Sequence, residues 1–99
     1  MTTPAATPSD DARLTVRVSG RVQGVGFRWW TRARALELGL TGSATNTAGG
    51  EVEVVAQGPR PACERLLALL EGPGTPGQVT RTGVWWSAPR GALEGFVER

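Results

Sequence analysis

The sequence predicts an α+β domain, a ferredoxin-like βαββαβ sandwich in which two helices cover one face of a mostly antiparallel sheet of four or five strands. Three observations carry that reading. Apolar and polar residues alternate through Leu14–Ser19 and again through Glu51–Gln57, the period of a half-buried strand. Two stretches, Phe27–Leu38 and Ala62–Glu71, space their apolar residues as helices do. Glycine- and proline-rich breaks separate these segments, and no internal repeat links them. At 99 residues the chain suits one small domain, burying roughly two-thirds of its unfolded surface.

Residues 1–11 hold two prolines among small polar residues, with neither a basic start nor the apolar stretch of a signal peptide. They are expected to form a disordered tail ahead of a domain spanning 12–99. After the strand Leu14–Ser19, the segment Gly20–Phe27 places three glycines in seven positions. The helix Phe27–Leu38 is stopped by Gly39 and brings Phe27, Thr31, Arg34, Ala35 and Leu38 near one face. Leu40–Asn46 reads as a short strand, which Ala48-Gly49-Gly50 turns back into Glu51–Gln57. Gly58-Pro59 is expected to break that strand, and Pro61 fits the first turn of the helix that follows. The loop Gly72–Gly77 leads to a long strand, Val79–Ser87, and Phe96–Glu98 closes the sheet. This order is the double split βαβ of ferredoxin-like folds.

Composition removes whole classes of chemistry. All eleven basic residues are arginine, and lysine, histidine and tyrosine are absent. A histidine base, a Schiff-base or P-loop lysine and a tyrosine nucleophile are therefore excluded. Asp10 and Asp11 are the only aspartates and adjoin the tail, which speaks against an aspartyl-phosphate intermediate. Cys63 lies in an apolar helix with no anion loop behind it and is expected to be packing. Apart from Glu51 and Glu53 the glutamates are scattered, so neither a metal site nor a cofactor is expected. No stretch is long enough for a membrane span. A cytoplasmic protein without a membrane partner is the expectation.

The glycine-rich segment is the chemically informative part. A flexible turn between a strand and a helix lets backbone N–H groups converge where the helix dipole also favours an anion. Arg28, in the first helical turn, adds a planar fork that can grip two phosphate oxygens. In a split βαβ unit the first two strands are parallel with another between them, so Gly20 and Asn46 end at the same edge. The cradle, Arg28 and Asn46 should therefore surround one small pocket.

Gly20-Arg21-Val22-Gln23-Gly24-Val25-Gly26-Phe27-Arg28, followed by Leu38-Gly39-Leu40-Thr41-Gly42, Asn46-Thr47, Gly50 and Val52-Glu53, resembles the acylphosphatase family over nearly all of residues 12–99. The resemblance implies that the backbone of Arg21, Val22, Gln23, Gly24, Val25, Gly26 and Phe27, with the Arg28 side chain, binds phosphate. It implies that Asn46 positions the attacking water. Arg28 and Asn46 are thus the expected catalytic side chains, and the substrate a small acyl phosphate, with inorganic phosphate as product and competitive inhibitor. Two positions depart from the family pattern: Ser43 stands in a strand where many members carry tryptophan, and Ala48 where aspartate often precedes glycine. Neither touches the proposed chemistry; both bear on how firmly Asn46 is held.

An acyl phosphate expels a carboxylate whose conjugate acid has a pKa near ~4, so departure needs no general acid. The absence of histidine fits that chemistry. Arg21 is expected to point outward and steer anions. Gln23 is expected to brace the loop, and Thr47 stands evenly between assisting the site and capping the turn. Of Trp85 and Trp86, adjacent in a strand, at most one can pack beneath the helices. Trp29, Ala33 and Leu36 form a second apolar stripe, expected to be covered by loops rather than by a second copy, the chain being a monomer. The competing functions are an RNA-binding module and a non-catalytic anion sensor. The first would need aromatic platforms on the central strands, and Leu14–Ser19 and Glu51–Gln57 have none; the second would not need Asn46.

Overall fold

The computed structural model describes residues 10–91 and 93–99. Of the expected tail, residues 1–9 lie outside that description. Seven elements follow in chain order: β1 (Asp11–Arg21), α1 (Phe27–Glu37), β2 (Thr41–Asn46), β3 (Val52–Pro59), α2 (Arg60–Glu71), β4 (Gln78–Ser87) and β5 (Phe96–Glu98). The strands form one sheet in the order β4-β1-β3-β2-β5. Only the β2–β5 pair is parallel.

Alternation dictates the core. Leu14, Val16 and Val18 of β1 pair with Ala56, Val54 and Val52 of β3, and all six are buried. Phe27, Thr31 and Ala35 of α1 and Cys63, Leu66 and Leu70 of α2 are buried against the sheet. This is the expected α1 face, although Arg34 and Leu38 at its margin are only half-buried. Burying a large apolar side chain is worth roughly 1.5–3 kcal/mol, so this interior holds both helices on one face.

The structure corrects three expectations. Asp11, placed in the expected tail, is the first residue of β1 and pairs with Pro59. Gly58-Pro59 does not break β3: Gly58 pairs with Ala12 and Pro59 with Asp11. The Arg60 amide donates to the Asp10 carbonyl on the β1 side. Pro59 therefore turns its donorless nitrogen to the other side, beyond the last β2–β3 pair, Thr41 with Gln57, and α2 then begins at Arg60, two residues earlier than the leucine pattern suggests. Nor do loops cover the second stripe of α1, since Trp29 is 62% exposed and Leu36 43%. These residues lie on the side of the helix facing away from the sheet, where the described connections do not reach. The adjacent tryptophans divide as strand geometry requires, Trp86 packing against the core and Trp85 lying exposed. The Arg60 guanidinium stacks 3.8 Å over the Trp86 ring. Among the described residues, no helix is long and apolar enough to cross a membrane.

β5 is reached through a connection that Gln57 fastens. Its nearly buried side chain accepts from the Arg90 amide at 2.9 Å and donates to the Gly91 carbonyl at 3.2 Å. This carries the chain across to the far edge of the sheet, beside β2.

Candidate active site

Between β1 and α1 the chain is anchored at both ends by apolar burial, Val22 and Phe27 each being 1% exposed. Gly24, Val25 and Gly26, in between, face solvent. Gly24 and Gly26 have φ of 77° and 82°, and among the described residues no non-glycine has positive φ. A Cβ on either glycine would meet nothing within 4 Å, so glycine is required here by backbone conformation and not by space. The φ signs alternate from Gln23 to Phe27, the backbone form in which successive N–H groups can share one concave side.

The helix start adds to it. Gly26 is the N-cap and provides no side-chain cap, and no acidic residue lies in the first turn. The first intrahelical bond runs from the Trp30 amide to the Gly26 carbonyl at 2.9 Å, leaving the earlier N–H groups without helical partners. Among the described residues, no acceptor in the protein meets the N–H groups of Gln23, Gly24, Val25 or Gly26.

Arg28 and the Asn46 backbone meet at Arg99. Arg28 Nη1 donates to the Arg99 carbonyl oxygen at 2.6 Å, and the Asn46 amide donates to that same oxygen at 3.0 Å. The Arg99 amide in turn donates to the Ala44 carbonyl at 2.8 Å. The Asn46 side chain is the more telling group. Its Oδ1, like Thr31 Oγ1 in the core, is buried and has no hydrogen-bond partner among the described residues, an unmet need that calls for an explanation.

Gln23 ties the two halves together. Its Nε2 donates to the carbonyls of Thr47 at 2.9 Å and Glu51 at 2.8 Å, bolting the loop to the β2–β3 turn one residue from Asn46. Thr47 takes the turn role: its Oγ1 accepts from the Glu51 amide at 3.2 Å. Arg21 is exposed. Glu51 and Glu53 are engaged on the outer sheet face, where Ser19 Oγ donates to Glu51 at 2.7 Å and Arg17 lies 3.0 Å from Glu53.

Cys63 takes no part in the site. Burial pushes its thiol pKa up, Asp11 adds to the rise, and Arg60 opposes it. Its S–H lies 3.7 Å from the Gly58 carbonyl. Among the described residues, no three His, Cys, Asp or Glu side chains cluster as metal ligands would. The sequence reading missed Arg99, because its contribution is a backbone carbonyl, which every residue type supplies. The only available signal was that a strand at Phe96–Glu98, if placed beside β2, delivers the next residue to Asn46.

The glycine loop, Arg28 and Asn46 thus come to one end of the sheet of an α+β domain. The family model described as Acylphosphatase matches residues 14–97. A relative named acylphosphatase from Saccharopolyspora erythraea is 67% identical over 93 residues, covering 94% of this chain and 98% of its own. One from Mycobacterium avium is 64% identical over 96 residues, covering 93% and 99%. The solved structure of an acylphosphatase from Coxiella burnetii superposes with a TM-score of 0.78 at 36% identity, covering 91% of this chain and 94% of that one. The chain belongs to the acylphosphatase family of hydrolases.

Proposed function

We propose that this chain hydrolyses the carboxyl–phosphate bond of small acyl phosphates, with Arg28 and the Arg21–Phe27 backbone holding the phosphate and Asn46 aligning the water. The observation that carries the reading is the convergence at Arg99, which brings Arg28 and the Asn46 backbone together beside loop amides that meet no acceptor among the described residues.

The chemistry follows from what each group can do. Phosphoryl transfer passes through a loose transition state with charge on the equatorial oxygens, so positioning and electrostatic stabilisation account for most of the catalysis. The loop N–H groups and the Arg28 guanidinium supply that field. Asn46 is neutral and cannot act as a strong base. Its unpartnered Oδ1 is suited to accept a hydrogen bond from a water and fix its approach opposite the leaving oxygen. The water oxygen forms the new P–O bond, the bond from phosphorus to the acyl oxygen breaks with its electron pair, and the carboxylate departs unprotonated. The proton of the attacking water passes to the phosphate oxygens.

Hydrolysis of benzoyl phosphate, run beside a titration with RNA at physiological salt, tests the proposal. Turnover without RNA affinity is the expected result. RNA binding without turnover would replace the reading, as would an anion site that binds phosphate without hydrolysing its acyl ester.

A further inference from the structure

We propose that Arg32 is a positioning residue for phosphate capture, acting on Arg28 through β5; this rests on the reading of Arg28 as the phosphate grip. Arg32 lies one helical turn beyond Arg28, so both project from the same side of α1. Each donates to a β5-side carbonyl: Arg28 Nη1 to Arg99 at 2.6 Å, and Arg32 Nε to Phe96 at 2.8 Å. The two arginines thus hold opposite ends of one short strand.

Phe96 seats the start of that strand in the core, being 2% exposed, while Val97, Glu98 and Arg99 are exposed. β5 has three residues and pairs only with β2. The bonds at its two ends are Gly42 N to Gly95 O at 2.9 Å, Asn46 N to Arg99 O at 3.0 Å and Arg99 N to Ala44 O at 2.8 Å. Carbonyls alternate in direction along a strand. Those of Gly95 and Arg99 face β2, so that of Phe96 faces the open edge, beyond the reach of β2. Arg32 satisfies this edge acceptor on the side of β5 that, among the described residues, pairs with no strand. With Phe96 the one buried side chain of β5, the alignment of the strand from Phe96 to Arg99 rests on its hydrogen bonds. The Arg32 contact at Phe96 contributes to the position of the Arg99 oxygen and so to the orientation of Arg28. Arg32 does not itself reach toward the anion: Phe96 is three residues from Arg99, on the order of 10 Å along the strand.

The test is Arg32→Ala in the full chain, with inorganic phosphate as the probe and amide hydrogen exchange as the second readout. Exchange at the Asn46 and Arg99 amides should quicken about tenfold while Val16 and Val54 stay protected, and phosphate affinity should fall roughly 3- to 10-fold. Unchanged affinity overturns the inference, whatever the exchange rates do. Weaker binding with unchanged exchange also overturns it, since Arg32 would then act on the anion directly. Arg28→Lys, measured alongside, separates the two levels. If it leaves phosphate affinity intact, the reading of the site fails; if it weakens binding while Arg32→Ala does not, only the role of Arg32 fails. Arg32→Gln gives the same readouts should the alanine variant fold incompletely.

Discussion

Arg28 and Asn46 donate hydrogen bonds to one oxygen, the Arg99 carbonyl, from the guanidinium at 2.6 Å and from the backbone amide at 3.0 Å. Residues eighteen positions apart are fixed relative to each other through a third that is distant in sequence from both. The arrangement couples the proposed phosphate grip to the strand that carries the proposed water-holding side chain. Shape at Arg28 therefore matters as much as charge.

Arg28→Lys retains the charge but loses the planar fork that can serve phosphate and the Arg99 carbonyl together. Phosphate affinity and turnover should both fall severely, since charge-assisted hydrogen bonds are worth about 1.5–3 kcal/mol each. A phosphate titration with steady-state hydrolysis of benzoyl phosphate measures both, and near-normal values would remove Arg28 from the site.

Gly26→Ala tests the cradle. The added Cβ meets open space, but φ of 82° lies in the left-handed region, which costs a non-glycine residue roughly 1–2 kcal/mol. Urea unfolding should show a loss of that order, and phosphate binding should weaken as the amides turn away. A variant with wild-type affinity would show that the loop conformation is not what binds.

Gln23→Ala removes the bolt between the cradle and the β2–β3 turn. The Thr47 carbonyl keeps the Gly50 amide and the Glu51 carbonyl keeps the Thr47 amide as donors, so the stability loss should be modest, about 1 kcal/mol. Turnover should drop by far more than that loss implies, because the cradle and Asn46 no longer hold a common frame. Equal small effects on stability and rate would assign Gln23 a purely structural part.

Hydrolysis should continue in excess chelator without added Mg²⁺, because arginine supplies the positive charge that a cation would otherwise bring. Activity abolished by chelator and restored by one metal would overturn the mechanism.

Much of this was legible in the sequence because local rules and tertiary packing agree. The strand at Phe96–Glu98 is placed to the residue, its Phe96 buried in the core. β3 was read two residues short because proline is usually a breaker, whereas at Pro59 it occupies the strand's final position opposite Asp11. The exposure of Trp29 ran against expectation because aromatic residues usually find cover, and the sequence does not show which loops reach α1. In the site, side chains were identifiable and backbone was not. Arg28 and Asn46 carry chemistry in their residue types, while the Arg99 carbonyl that joins them carries none.

The separation of roles between Arg28 and Asn46 is tested most directly by Asn46→Ala, with phosphate affinity and turnover measured on the same folded sample. The account assigns Asn46 to water, so inorganic phosphate should bind with nearly unchanged affinity while hydrolysis falls on the order of 10²–10³ or more. Asn46→Asp, by contrast, should impair both, because it sets a negative charge beside a dianion. If the alanine variant folds normally by circular dichroism yet loses phosphate binding in step with activity, Asn46 is a phosphate ligand and the proposed division of labour is wrong.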